Sequence, residues 1–245
     1  MEPAGRDRRF ALHLALLLLT FLAIESIYVA RFPMVMDELG SAYYVHHGLH
    51  DRVPYRDYSP YKNVLGYYVQ LPLLLLPFAT WTNLLLVKYA MALLAAGVLF
   101  IAAWMLRTLF DRRAVLSALA LLLAMSTFLE RCAELRVDAM TGLAGLLSFV
   151  LLLRKRPATA GMLSGLSFLI SQKGVYYGTS AAAGVALALA VASSARRETL
   201  RTAIRFGLAT IATIGVYVTF WAALSSPLAV WNSMFVFGTQ IAAVA

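Results

Sequence analysis

Apolar residues recur along the chain in runs long enough to cross a bilayer, which takes about 20 of them in a helix. The pattern predicts spans at residues 10–30, 84–106, 114–129, 139–153, 158–172, 176–194 and 203–224. A further apolar stretch, "VLGYYVQLPLLLLPF" (64–78), is short, carries Gln70, and contains Pro72 and Pro77, each lacking a backbone donor. Residues 37–50 read as a short helix, with acids in the first turn, where the helix dipole favours them, and Gly48 and Pro54 near its end. On it, Leu39, Tyr43 and Leu49 are placed to dip into lipid while polar groups face outward. The fold class is therefore all-α: a polytopic membrane protein of about seven transmembrane helices, with juxtamembrane helices in the first outer loop, residues 31–83. No Ser/Gly linker, low-complexity tract or repeat interrupts it, so residues 1–245 read as a single membrane domain. The basic start of "MEPAGRDRRFALHLALLLLTFLAIESIYVA" is like that of a signal peptide. The apolar run continues to Ala30 without an A-x-A cleavage site, which predicts a retained first span.

Composition narrows the class. The chain is 61% hydrophobic and 13% charged, about half the charged fraction of soluble domains, with a mean hydropathy of +0.76. A soluble fold is excluded. The net charge of +9 would suit a nucleic-acid partner if it were evenly spread, but its location assigns it to membrane orientation. With residues 64–78 not crossing and the N-terminus in the cytoplasm, 13 of the 21 Lys and Arg lie inside and 8 outside. If 64–78 crossed, every later loop would flip, leaving 7 inside and 14 outside. The positive-inside rule selects the first arrangement and makes 64–78 a re-entrant or interfacial helical segment packed on other helices. Four acids (Glu2, Asp7, Asp111, Glu198) then share the inner face with those arginines. Seven lie outside: Asp37, Glu38, Asp51, Asp57, Glu130, Glu134 and Asp138. A nearly balanced and densely charged outer surface has the character of a site. Cys132 is the lone cysteine, so no internal disulfide or Cys-based metal site is expected.

Three segments make up that outer surface. In "MDELGSAYYVHHGLH", Asp37 and Glu38 read either as a helix-starting acidic pair or as a general base and its neighbour. In "FLERCAELRVDAM", Arg131, Glu134, Arg136 and Asp138 are spaced for local ion pairs, at a depth where unpaired charge is costly. In "SQKGVYY", Lys173 ends the fifth span; it and Lys62 either snorkel or hold a phosphate. Tyr43, Tyr44, Tyr55, Tyr58 and Tyr61 suit an interfacial aromatic belt or the flanks of a sugar ring. His46, His47 and His50 raise a zinc site, with His46 and His50 as weak candidate ligands, because adjacent histidines point about 100° apart on a helix. Glu25, near the outer end of the first span, either reaches water or lines the same cavity, and the Gly161/Gly165 pair in "GMLSG" reads as close helix packing.

The stretch "MDELGSAYYVHHGLHDRVPYRDYSPYKNVLGYYVQL" resembles the first extracytoplasmic loop of the GT-C superfamily of glycosyltransferases, specifically the branch of protein O-mannosyltransferases and the aminoarabinose transferase of lipid A. In that branch an Asp-Glu pair follows the first span, then come a "G..PY.D" segment, a Lys-containing turn and a short apolar juxtamembrane helix. Here these are Asp37-Glu38, Gly48 through Asp57 with slightly longer spacing, Lys62, and residues 64–78. "LRVDAM", with Asp138, is similar to the family's acidic motif after the third span, and Lys173-Gly174 to its "KG" step after the fifth. The resemblance covers roughly residues 10–225, and its order, spacing and sidedness carry more weight than any one motif.

It implies transfer of a sugar from a polyprenyl-phosphate-linked donor to a lipid, glycan or protein acceptor at the outer face of the cytoplasmic membrane. Asp37 would be the base, with Glu38 beside it, and Asp138 would position donor or acceptor. Lys62, Arg131, Arg136 and Lys173 would hold the donor phosphate, the two arginines being added from charge and position, with Tyr58 and Tyr61 alongside. The resemblance assigns no particular cofactor and leaves a divalent metal open. Family members are usually longer, which leaves a fragment, a minimal seven-span module and a remnant as alternatives. The His46–His47–His50 trio falls outside the family pattern. The competing readings are a transporter or lipid flippase and a non-catalytic accessory subunit.

Overall fold

A computed structural model describes residues 4–31, 36–60, 63–191 and 196–236. Every regular element among them is helical. The order is α1 (Ala4–Arg31), α2 (Met36–Leu49), α3 (Leu65–Tyr68), α4 (Leu71–Leu74), α5 (Thr80–Leu106), α6 (Arg112–Leu123), α7 (Ser126–Ala133), α8 (Val137–Leu153), α9 (Pro157–Ile170), α10 (Gly174–Val191), α11 (Arg196–Leu224) and α12 (Pro227–Trp231), followed by a π-helical turn at Asn232–Val236. The helix expected at 37–50 is α2.

Four of the described helices are long and apolar enough to cross a membrane: Asp7–Arg31, Thr80–Leu106, Gly174–Val191 and Arg196–Leu224. The uninterrupted span expected at 114–129 is instead a pair, α6 and α7, bent by 74°. The break falls at Met125, which is extended (φ −77, ψ 115) and starts α7 without a side-chain cap, just before the polar pair Ser126-Thr127. The expected fourth and fifth spans are α8 and α9, apolar helices of 17 and 14 residues. The seven expected crossings thus resolve into four helices of spanning length, a broken pair and two shorter apolar helices. Residues 64–78 hold only the short helices α3 and α4, with Asn83 Nδ2 donating to the Leu74 and Leu76 carbonyls at 3.3 and 2.8 Å.

Packing follows residue size. At the centre, α9 lies against α8, α10 and α11. A Cβ at Gly161 would overlap the Phe206 carbonyl, and one at Gly165 would sit 2.9 Å from Thr213 Cβ. These two glycines are therefore what lets α9 approach α11, as a small-xxx-small pair does. Small hydroxyls add interhelical bonds: Thr210 Oγ1 donates to Gly161 O (3.1 Å), Ser148 Oγ to Ala160 O (2.7 Å) and Ser167 Oγ to Thr141 O (2.9 Å). A second core joins α1 to α5, α6 and α7 through Phe10, Leu14, Phe21, Leu99, Leu119 and Leu129. The opposite faces of the long helices expose leucines and other large apolar groups. In α11 only 6% of the most apolar window is buried within the protein, which suits a lipid-facing surface.

Candidate functional site

Glu38 in α2 is fully buried, and the Lys88 ammonium of α5, itself buried, lies 3.1 Å from its Oε1. The same oxygen accepts the backbone N–H of Leu135, in the link between α7 and α8, at 2.6 Å. Three segments far apart in sequence therefore meet on one carboxylate. Burial makes the pair consequential, because each charge would be costly here without the other.

Leu135 also joins this pair to a string of charges. Arg131 Nη1 lies 2.8 Å from Glu134 Oε2, which Arg136 Nη1 approaches to 3.4 Å. Arg136 Nη2 reaches Asp138 Oδ2 at 3.1 Å, and Lys173 Nζ reaches the same oxygen at 2.8 Å. The local pairs within 131–138 are those the spacing allows; Lys173 adds the long-range link. It is placed by a tight turn between α9 and α10 in which Gly174 N–H donates to Ser171 O at 2.8 Å. A Cβ at Gly174 would overlap the backbone of Ser167 and Phe168, so glycine is required at that step. The string is graded in exposure: the side chains of Lys173 and Arg131 are 54% and 46% exposed, those of Arg136 and Asp138 only 14% and 16%. Its two ends can meet an incoming anion while its centre stays fixed.

An aromatic block covers the other side of α2. Tyr58 stacks on His47 (ring centroids 4.7 Å apart) and on Tyr44 (5.9 Å), and Tyr43 meets His47 edge-on at 4.4 Å. Tyr55, in the left-handed region at φ 65, is buried and shares a 2.9 Å hydroxyl–hydroxyl bond with Tyr217 of α11. Such a backbone is costly for an aromatic residue and is held by its surroundings. Asp57 closes this loop, accepting Val53 N–H at 2.7 Å. The adjacent Arg56 guanidinium and that N–H hold its carboxyl at about 2.

Burial, then the positive charge of Arg52, lowers the His47 pKa. The folded state therefore binds fewer protons than the unfolded chain as pH falls through the imidazole range. Stability from a neutral His47 is complete above the unfolded-state pKa and is lost on acidification. The apparent melting temperature is expected to drop between pH 7 and pH 5, and to drop less in His47→Phe; equal drops would exclude this origin.

Asp37 lies in α2 next to Glu38, but its side chain is outside the described residues, as are Tyr61 and Lys62. Arg131, Arg136, Asp138 and Lys173 are joined in one string of ion pairs through Glu134 and Asp138, and Glu38 reaches the neighbouring Leu135 backbone. Tyr58 belongs to the aromatic block. His46 and His50 approach to 4.1 Å between ring centroids, with His50 Nδ1 2.8 Å from His46 O, while His47 turns into the tyrosines. Among the described residues no group of three His, Cys, Asp or Glu side chains converges on a metal position. Sequence inspection missed Lys88 and Tyr217. Lys88 had a signal, a lone lysine inside the apolar run "NLLLVKYAMALLAAG", where an ionisable group is a candidate functional residue by default. Comparison with family models, curated proteins and solved structures found no match to this chain.

Proposed function

We propose that this chain is a GT-C-like membrane glycosyltransferase module. It moves a sugar from a polyprenyl-phosphate donor to a hydroxyl of a lipid, glycan or protein at the extracytoplasmic face, with its N-terminus in the cytoplasm. The observation that supports this is the meeting of carboxylates and cations from α2, α5, the α7–α8 link and the α9–α10 turn around Leu135 and Asp138. In the reaction a carboxylate takes the acceptor hydroxyl proton and the acceptor oxygen bonds to the anomeric carbon. The bond from that carbon to the phosphate oxygen breaks, and polyprenyl phosphate leaves with the electron pair. Preorganised cations stabilise the departing charge.

Asp37 is assigned as the base. Glu38, whose carboxylate is committed to Lys88 and Leu135, is assigned a positioning role. Asp138 aims Lys173 and Arg136, and the half-exposed Lys173 and Arg131, with Lys62, meet the donor phosphate.

The test is transfer from a polyprenyl-phosphate sugar in reconstituted membranes. Lys173→Met is expected to raise the KM for donor about tenfold, the scale of one charge-assisted hydrogen bond. Unchanged kinetics would remove Lys173 from the site. One observation favours a second reading, a lipid carrier: Glu25 is fully buried in α1, with neither carboxylate oxygen hydrogen-bonded among the described residues. Donor movement across the bilayer with no sugar transferred would select that reading.

A further inference from the structure

At the end of the bundle away from the Glu38 site, the start of α1, the end of α5 and the start of α6 form an open cavity of about 860 Å³. Arg9, His13, Arg107, Arg112 and Arg113 line it, with Asp7 and Asp111 as its acids. Both acids are already engaged. Asp7 Oδ1 lies 3.0 Å from Arg112 and 3.6 Å from Arg107, and Asp111 caps α6 by accepting from Arg113 N and Ala114 N. Arg107 is further fixed by its position 3.6 Å over the Trp104 ring. The four arginines and two acids leave the lining two positive charges in excess, and Arg9 and Arg113 are exposed, with no described carboxylate in ion-pairing range.

Two shallow apolar grooves border this cavity, one on each side of α6. The first, about 380 Å³, begins at Phe110, shared with the basic cavity, and follows Ala114, Ala118 and Leu122 opposite Leu99 and Ala102 of α5. The second, about 390 Å³, begins at His13 and Leu116, also shared, and continues along Ser117, Ala120 and Leu17. From Ala114 to Leu122 the first groove follows α6 for about 12 Å toward the middle of the bundle.

We infer that this is a binding site for one anionic diacyl phospholipid, with its phosphate headgroup in the arginine cavity and one chain in each groove flanking α6. A basic pocket between helices is what an anionic headgroup recognises. Two separate apolar grooves that share lining residues with the cavity select a two-chain lipid over a soluble phosphate. The site is distinct from the transferase site and does not depend on it.

The test is native mass spectrometry of the full chain in detergent, titrated separately with phosphatidylglycerol, phosphatidylcholine, lysophosphatidylglycerol and inorganic phosphate. Phosphatidylglycerol is expected to bind at least tenfold more tightly than phosphatidylcholine. Arg9→Gln/Arg113→Gln is expected to weaken it about 25-fold, at about fivefold per guanidinium. Arg196→Gln/Arg197→Gln, exposed basic residues outside the cavity, should leave binding unchanged. An equal loss in that control would reduce the effect to diffuse surface charge and overturn the site. Equal retention of phosphatidylcholine, binding of the single-chain lipid as tight as the diacyl one, or displacement by equimolar inorganic phosphate would overturn it as well.

Discussion

Lys88→Met is expected to destabilise the protein by about 3–5 kcal/mol, the cost of leaving one member of a buried ion pair without its partner. In a chain of this size each kcal/mol moves the melting temperature by roughly 2–4 °C, so the loss should be at least about 6 °C. The cause is specific: Lys88 is 4% exposed and Glu38 1% at their side chains, so water cannot replace the lost ammonium. The remaining carboxylate would have to protonate or draw in solvent, and either loosens α2 from Leu135. A second substitution separates this cause from simple loss of packing. Glu38→Gln/Lys88→Met removes both charges while keeping an oxygen for the Leu135 N–H, and is expected to recover at least half of the lost stability. A single variant that melts like the parent, or a double variant no better than the single one, would show that the pair does not hold α2.

That pair also marks where the sequence stops being readable. Hydropathy located the apolar segments, because lipid-facing and core-facing residues of a membrane helix are both apolar and the run length alone carries the signal. Arginine sidedness kept 64–78 from being counted as a crossing, and the structure has only two four-residue helices there. The Gly161/Gly165 spacing signalled close packing, and those glycines do meet α11. The break between α6 and α7 was hidden because "LLLAMSTFLE" carries neither Gly nor Pro, and two small hydroxyl residues at the bend, Ser126 and Thr127, do not end a run that is apolar on average. Burial of Glu38 was hidden for a different reason. An acid in a first helical turn satisfies the local dipole rule equally well facing water or a lysine, and only the tertiary approach of α5 decides between them. The 131–138 pairs were legible because they are local, whereas Lys173 joining Asp138 from 35 residues away was not derivable from spacing.

Asp37→Asn is expected to lower glycosyl transfer by about 10²–10⁴, the usual contribution of a positioned general base, while leaving the melting temperature unchanged. The contrast with its neighbour gives the experiment its force. Glu38→Gln takes the charge from Lys88's partner, so it should lower stability first and activity only through it. Two adjacent acids on one helix are thus expected to separate cleanly, one in kcat and the other in melting temperature. The substitution at position 37 is nearly isosteric and, under the proposed role, takes away the group that receives the acceptor proton. Transfer by Asp37→Asn at the parental rate would assign the base elsewhere. A stable Glu38→Gln that loses transfer would exchange the two roles, because an intact fold with lost chemistry is the signature of the reacting carboxylate.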